Sequence, residues 1–361
     1  MGTWKILFCL TDHKERNEPV ELERISPFDP AWLRFIETRP DAMIFHHPFW
    51  MKNLEDTYDY KAFVLVVEGK DQTIQAGVPM MQVDSFLTGR RWVSLPFSDW
   101  CAPLFLHDEA LEELTDGLIE LSETNGVPGM ELRWQYPVRP QITTTQDHVL
   151  HLGHFSKDTE AELLAQFRQK IRYCIRTSIE RGIQITSGTS KKLLEIFYTL
   201  QCLTRKRHGL PVQPWKYFMN LRKNILEKGL GRIFLAYYGD DCVAGQIILH
   251  YRKTLTLKYA ASARVDLTYL HPNHLIDWEG IKWGSANGYT LFDCGRSKTE
   301  YTGLRQYKNQ WGYREMPLIY SYIKARPKEM GINIGFVNKV IRHSPVWLGR
   351  LAGELLYRHV G

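Results

Sequence analysis

Many of the signatures that announce an enzyme class are missing from this sequence. It has no Walker-type phosphate loop, no glycine-rich dinucleotide fingerprint, no HExxH and no GxSxG. Those absences exclude the ordinary P-loop, Rossmann, zincin and α/β-hydrolase readings. Its six cysteines (Cys9, Cys101, Cys174, Cys202, Cys242 and Cys294) stand singly, with no CxxC and no Cys/His group at zinc-like spacing. The thiols read as reduced, and no metal is expected. No uninterrupted run of ~18 apolar residues occurs, so no transmembrane helix is expected. The stretch Met1 to Leu10 lacks a basic leader and a long apolar run, so no signal peptide is expected. Ile6 stands where myristoylation takes Ser or Thr. These features together read as a cytoplasmic protein.

What is present is ordinary in bulk and informative in detail. At 361 residues, two domains are the expectation. Hydrophobic residues make up 44% and charged residues 24%, which suits a globular chain with a sizeable core. The net charge of +6 permits anionic partners without demanding them.

Periodicity spells two similar halves. The first 150 residues read β-α-α-β-β-β-α-β, with strands over 4–10, 62–68, 75–84, 92–97, 130–134 and 149–152. Helices fall over 31–37, 45–58 and 108–125. In the second half a helix starts at Ser156 and runs on to Arg181, and others cover 191–208 and 214–228. Strands follow over 183–186, 231–238, 243–251 and 254–261. The expected division is 1–153, 154–325, and a helical tail over 326–361.

The richest stretch is 273–322. A helix carrying Leu275, Ile276, Trp278, Ile281 and Trp283 ends at Asn287-Gly288. A strand over 289–294 opens into a polar turn, Gly295-Arg296-Ser297-Lys298. A second turn at Thr302-Gly303 leads to Tyr307-Lys308 and Trp311-Gly312, and a last strand covers 318–323. The tail, from Pro345 to His359, is amphipathic, with Trp347, Leu348, Leu351, Leu355 and Leu356 in a stripe. It either docks on the body or lies on a membrane surface.

The order Phe292-Asp293-Cys294-Gly295-Arg296-Ser297, Gly303, Tyr307-Lys308, Trp311-Gly312, Leu318 and Tyr320 resembles the FemAB-like group of GNAT-fold transferases. These are also described as BioF2-like or CelD-like acetyltransferases. The nearest likeness is to FemAB-related proteins of exopolysaccharide and PEP-CTERM systems. Arg207-His208-Gly209-Leu210-Pro211 is similar to a turn of the same family. Cys294 replaces an aromatic, and Tyr307 a frequent Phe.

The resemblance implies an α/β (α+β) fold of two tandem GNAT-like domains with mixed sheets flanked by helices. It implies a transferase that moves an acetyl or aminoacyl group onto an amine or hydroxyl of a cell-envelope or exopolysaccharide precursor. The donor is acyl-CoA or aminoacyl-tRNA, and the acceptor a small molecule or a lipid- or nucleotide-linked sugar. The glycine-spaced loop that holds CoA pyrophosphate in single-domain GNATs is not visible before Asn273. A non-catalytic envelope scaffold held at the inner face of the membrane is the reading from another class.

The candidate roles follow. Lys308 would stabilise the oxyanion of acyl transfer; its alternative is a solvated partner of Glu300 or Glu315. Arg296 with Ser297, and Arg207, would position anionic groups; Arg296 alternatively pairs with Asp293. Asp293 or His208 would accept the proton, while His208 and Asn273 alternatively cap helices. Arg264, Asn273, Tyr307 and Trp311 would border the same cleft. Arg168, Arg172 and Arg176, with Lys170, make a basic face that either is merely solvated or grips phosphate, as of tRNA.

Overall fold

The computed structural model describes residues 21–155, 159–263, 268–324 and 334–360. The expected strand over 4–10, the helix start at Ser156 and Arg264 lie outside the described residues.

The first half begins with β1 (Glu23–Ile25), α1 (Pro30–Thr38) and α2 (Pro48–Tyr58). Both helices start with proline at the first position, where its missing N–H costs nothing. Strands β2 (Lys61–Glu68), β3 (Ile74–Ser85) and β4 (Gly89–Ser94) continue an antiparallel meander, with the short β5 (Leu104–Phe105) against β3. Helix α3 (Asp108–Glu123) crosses over and returns the chain as β6 (Gly129–Leu132), parallel to β4. Asp108 and Glu109 sit in the first turn of α3, where the helix dipole favours negative charge. β7 (Ile142–His154) closes the half.

The second half repeats the plan. After α4 (Glu160–Ala165) and α5 (Gln169–Glu180) come β8 (Ile183–Gly188), α6 (Lys191–His208) and α7 (Trp215–Asn224). Strands β9 (Gly231–Tyr238), β10 (Asp241–Tyr251) and β11 (Thr254–Ser262) form the meander. Helix α8 (Pro272–Ala286) crosses over to β12 (Leu291–Lys298), parallel to β11. Then follow α9 (Thr302–Gln310), β13 (Arg314–Ile323), α10 (Ile334–His343) and α11 (Val346–Val360).

The halves exchange their closing strands. The sheet runs β1-β2-β3-β4-β6-β13-β7-β12-β11-β10-β9-β8. β13, late in the chain, pairs with β6 of the first half, while β7 pairs with β12 of the second. β7 and β13 also pair with each other at the centre. Buried side chains knit the halves as well: Met43, Phe45 and Trp50 share one cluster with Phe197, Tyr217 and Phe218.

Four local expectations change. The expected long helix over 156–181 is two helices, because the chain turns at Phe167, whose ring packs against Trp311 at 5.1 Å and Trp278 at 6.1 Å. The expected polar turn at 295–298 is strand, carried on by pairing of Arg296, Ser297 and Lys298 with β7. The segment after Thr302 is a helix, and Lys308 sits in its last turn. β7 reaches back to Ile142, since Thr143 and Thr144 pair with Tyr322 and Ser321 of β13. A polar run such as this shows no strand periodicity by itself.

The tail helix α11 docks on the body. Val212 N donates to Gly349 O at 3.1 Å, and Arg205 Nη2 to Tyr357 Oη at 2.7 Å. Tyr60 Oη donates to Arg358 O at 3.0 Å. Gly353 meets the backbone of Val212 so closely that a Cβ there has no room.

Candidate active site

The site grows from a break in the sheet. β11 and β12 pair only over Thr254–Thr256 and Leu291–Asp293. Beyond Asp293 the two strands part, and β12 stays with β7 across a bulge between Asp293 and Arg296. Gly295 makes the bulge at φ +71°, a left-handed conformation that favours glycine. On the other side of the gap, the register of β11 against β10 slips so that Lys258 is the extra residue. Two facing strands are therefore each distorted where they separate.

Into this gap comes a loop of the first half, residues 95–103. Trp100 Nε1 donates to Asp293 Oδ2 at 2.9 Å, while Gly295 N donates to Asp293 Oδ1 at 2.8 Å. Asp99 Oδ2 accepts the Arg296 N–H at 3.1 Å, and the Arg296 guanidinium lies 3.5 Å from Asp99 Oδ1. Arg296 Nη1 also donates to Tyr320 Oη at 2.7 Å. The Tyr320 hydroxyl in turn donates to the carbonyl of Asp99. Arg133 braces the loop from behind, with Nη1 on Ser98 O at 2.7 Å.

Three cations converge here. Lys308 is buried, 6% exposed, and donates to Gly295 O at 2.9 Å and Arg296 O at 3.2 Å. It pairs with neither Glu300 nor Glu315, which Lys298 and Arg305 occupy. Arg296 turns to Asp99 and Tyr320 rather than forming the alternative pair with Asp293. Lys258, which the sequence did not single out, donates to Phe97 O and lies near the rings of Phe45, Trp50 and Tyr259. Burial lowers its pKa, against the pull of Asp99.

The carboxylates differ by surroundings. Burial works against the charge on Asp99, but Lys258 and Arg296 outweigh it and hold its carboxyl below the usual range. Burial, helped by the Asp99 charge, pushes Asp293 up to about 6. Burial pushes Asp277 of α8 up to about 7, although it accepts the Tyr307 hydroxyl at 2.6 Å and lies near Lys308.

A cleft of about 880 Å³ opens beside this cluster, lined by Lys258, Tyr259, His208, Tyr301, Gly303 and Tyr357 among others. His208 stands exposed at its rim, and burial with the charges of Arg207 and Arg205 lowers its pKa. Gly209 in the left-handed conformation closes α6, so the helix end is capped there and not by the His208 ring. Arg207 bonds Ser262 O and Oγ at 3.0 and 2.9 Å, which ties α6 to the end of β11. Ser297 is buried, and its Oγ has no partner among the described residues. Trp311 lies in the core against Phe167 and Tyr313 rather than on a cleft wall. Asn273 is exposed inside α8 and does not cap it, because Pro272 starts the helix one residue earlier and His271 is the cap residue. Arg168, Arg172 and Arg176 stand exposed on α5, away from these contacts.

Nothing in the sequence alone assigned a catalytic or binding role to Lys258, Tyr320, Trp100, Arg133 or Asp99. Asp99 and Trp100 share one signal, a loop rich in proline and aromatics, Pro96 to Pro103, between two strands. A loop of that kind placed on a sheet edge commonly carries function.

A family model of the acetyltransferase (GNAT) domain matches residues 165–309. The chain is 25% identical over 175 residues to the UDP-N-acetylmuramoylpentapeptide-lysine N(6)-alanyltransferase of Weissella viridescens. That match covers 48% of this chain and 48% of the relative, so the chain spans about half of that relative's length. Among solved structures, FemX superposes with a TM-score of 0.65 at 15% identity, over 89% of this chain and 100% of the other. The L-PGS structure from Bacillus licheniformis gives 0.54 at 12% identity, over 89% and 99%. A tandem GNAT protein from the clavulanic acid biosynthesis pathway gives 0.51 at 9% identity, over 85% and 100%. Residues 165–309 thus carry a GNAT-type acetyltransferase domain, and the chain as a whole is similar to the FemAB-like group of GNAT-fold transferases.

Proposed function

We propose that this protein transfers an aminoacyl or acetyl group onto an amine or hydroxyl of a cell-envelope precursor. The observation that carries the reading is the parted β11–β12 pair, with Lys308, Lys258 and Arg296 gathered at the split beside a cleft of about 880 Å³. Acyl transfer builds negative charge on the carbonyl oxygen, and a fixed ammonium in a dry site stabilises it without reorganisation. Lys308 supplies that charge, and Lys258 reinforces it from the opposite strand. Arg296 holds an anionic group of a substrate, with Ser297 beside it on β12. Asp293 accepts the acceptor's proton, with His208, neutral at pH 7, as the other base at the rim. The attack is direct, and no covalent enzyme intermediate is required.

The donor is the open choice, and one feature favours aminoacyl-tRNA over acyl-CoA. A pyrophosphate needs free amide N–H groups at a helix start. Pro272 has none, and the N–H of His274 already donates to His271 O at 3.0 Å. The exposed Arg168, Arg172 and Arg176 edge offers a phosphate-binding surface instead. The name of the Weissella relative, an alanyltransferase acting on a muramoyl-pentapeptide, supports an aminoacyl group as the one moved and an envelope acceptor.

A thermal-shift titration with acetyl-CoA, longer acyl-CoAs and bulk aminoacyl-tRNA tests this reading. A ligand bound only by the native state adds about 2.7 kcal/mol at a hundredfold excess over its Kd. A shift with aminoacyl-tRNA that falls with salt and vanishes in an Arg168/Arg172/Arg176 triple alanine variant supports the tRNA donor. A shift with a CoA thioester instead makes the protein an acyl-CoA-dependent transferase. No shift with either donor, in the presence of envelope precursors, removes the transferase reading.

No helix among the described residues is long and apolar enough to cross a membrane. We propose a peripheral contact instead. Trp347 and Leu355, 61% and 62% exposed, share the outer face of α11 with Leu351, flanked by Arg350 and Arg358.

A further inference from the structure

Two helices of the second half bring together side chains that the sequence keeps about a hundred residues apart. Cys174 lies on the buried face of α5, between Ile171 and Ile175. His271 is the cap residue of α8 and His274 lies in its first turn, with ring centroids 5.5 Å apart. The potential donor atoms of the three side chains all lie within 4.8 Å of one another.

We propose that Cys174, His271 and His274 bind one borderline divalent transition-metal ion of the Zn²⁺ type, with water in the fourth position. Thiolate plus two imidazoles is a donor set that such ions prefer. Tetrahedral bonds of about 2.0–2.1 Å to nitrogen and 2.3 Å to sulfur place donors roughly 3.3–3.7 Å apart. The present spacing, within 4.8 Å, therefore exceeds the bonded one by little more than 1 Å at most.

The surroundings hold these residues in place. His271 has a left-handed backbone, φ 53°, which is uncommon for a residue with a side chain. Ser178, one turn after Cys174, donates to Leu270 O at 2.6 Å and His271 O at 2.9 Å, so α5 fixes both the thiol and the loop that bears His271. The His274 ring stacks on Trp311 with centroids 6.1 Å apart and meets Tyr307 edge-on at 5.1 Å. Among the described residues neither imidazole makes a side-chain hydrogen bond that competes with a metal. Lys170 and Arg181 lie nearby and oppose a cation. The thiolate is what offsets them: on binding, Cys174 gives up its S–H proton to solvent and forms the metal–sulfur bond.

The ion would staple α5 to the start of α8. One turn on, Asp277 holds the Tyr307 hydroxyl at 2.6 Å, and Tyr307 neighbours Lys308. The staple thus fixes the helix that positions the candidate catalytic lysine. This inference stands on the cluster alone and does not depend on the donor or acceptor.

The test uses the full chain, stripped with a chelator and titrated with Co²⁺ as a spectroscopic probe. Saturation at one equivalent, with tetrahedral d–d bands and a thiolate-to-cobalt charge-transfer band that Zn²⁺ abolishes, is expected. Cys174→Ser is expected to lose the charge-transfer band, and His271→Ala to bind at least about tenfold more weakly. Zn²⁺ is expected to raise the Tm of the stripped wild type but not of Cys174→Ser. Circular dichroism establishes that each variant is folded. Folded wild type without these bands at saturating Co²⁺, or a Cys174→Ser variant that keeps them, overturns the proposal.

Discussion

Asp99 of the first half accepts the backbone N–H of Arg296 in the second half at 3.1 Å. The same carboxylate lies where it would contact any side chain on Gly295: a Cβ there would stand 2.7 Å from Asp99 Oδ2. A bulge, a glycine and an acid from a distant loop are therefore one unit. Replacing Gly295 by Ala forces both a disfavoured φ and this contact. The expected result is a loss of about 1–3 kcal/mol of stability and a larger proportional loss of transfer activity. Chemical denaturation together with steady-state kinetics measures both; unchanged kcat in a stable variant would detach the bulge from the chemistry.

Lys308 carries the strongest mutational prediction. Its ammonium has two backbone carbonyls as partners, and among the described residues no carboxylate forms an ion pair with it. Lys308→Ala is expected to lower kcat by about 10²–10³, the range for losing one preorganised oxyanion donor. KM is expected to change much less, because the charge matters most in the transition state. A KM effect with kcat intact would instead make Lys308 a substrate-binding residue.

The buried acids set the pH behaviour. The folded pKa of Asp293 is raised to about 6, and that of Asp277 to about 7. The native state therefore holds protons that the unfolded chain releases near 4. Stability contributed by these groups is present at low pH and declines as pH rises from about 4 to about 7. Asp277→Asn is expected to flatten that decline, as read from Tm across the range. If Asp293 is the base, kcat/KM rises with pH to a plateau above about 6, and Asp293→Asn removes activity where His208→Gln does not.

The outer face of α11 gives a test of membrane contact. Trp347, Leu351 and Leu355 are exposed while the opposite face docks on the body. Changing all three to Ser is expected to leave Tm within a few degrees, as for surface substitutions. Co-sedimentation with anionic phosphatidylglycerol vesicles is expected to drop by at least half. Equal sedimentation of wild type and variant would show that the face serves another purpose.

Much was legible in one dimension. Helices α1, α3, α6 and α8 follow from their apolar spacing, and the meander strands from β-branched runs such as Ala62 to Val67. The motif from Phe292 to Gly312 pointed to the family and to Lys308. These signals are local: period, caps and short motifs depend on neighbours within one or two turns.

What the tertiary structure decided is of another kind. That 295–298 is strand, that β13 joins the first half's sheet, and that Asp99, Lys258 and Tyr320 meet at the β12 bulge depend on pairings between distant segments. The gathering of Cys174 with His271 and His274 depends on α5 packing against α8. Spacing rules see only ligands close in sequence, and a site built by packing two helices has no such spacing. The sequence by itself determined most of the elements and the family resemblance. The exchange of β7 and β13 decided which loop faces the split strands, because backbone groups left open at a strand edge must be paired by whatever strand the fold brings there.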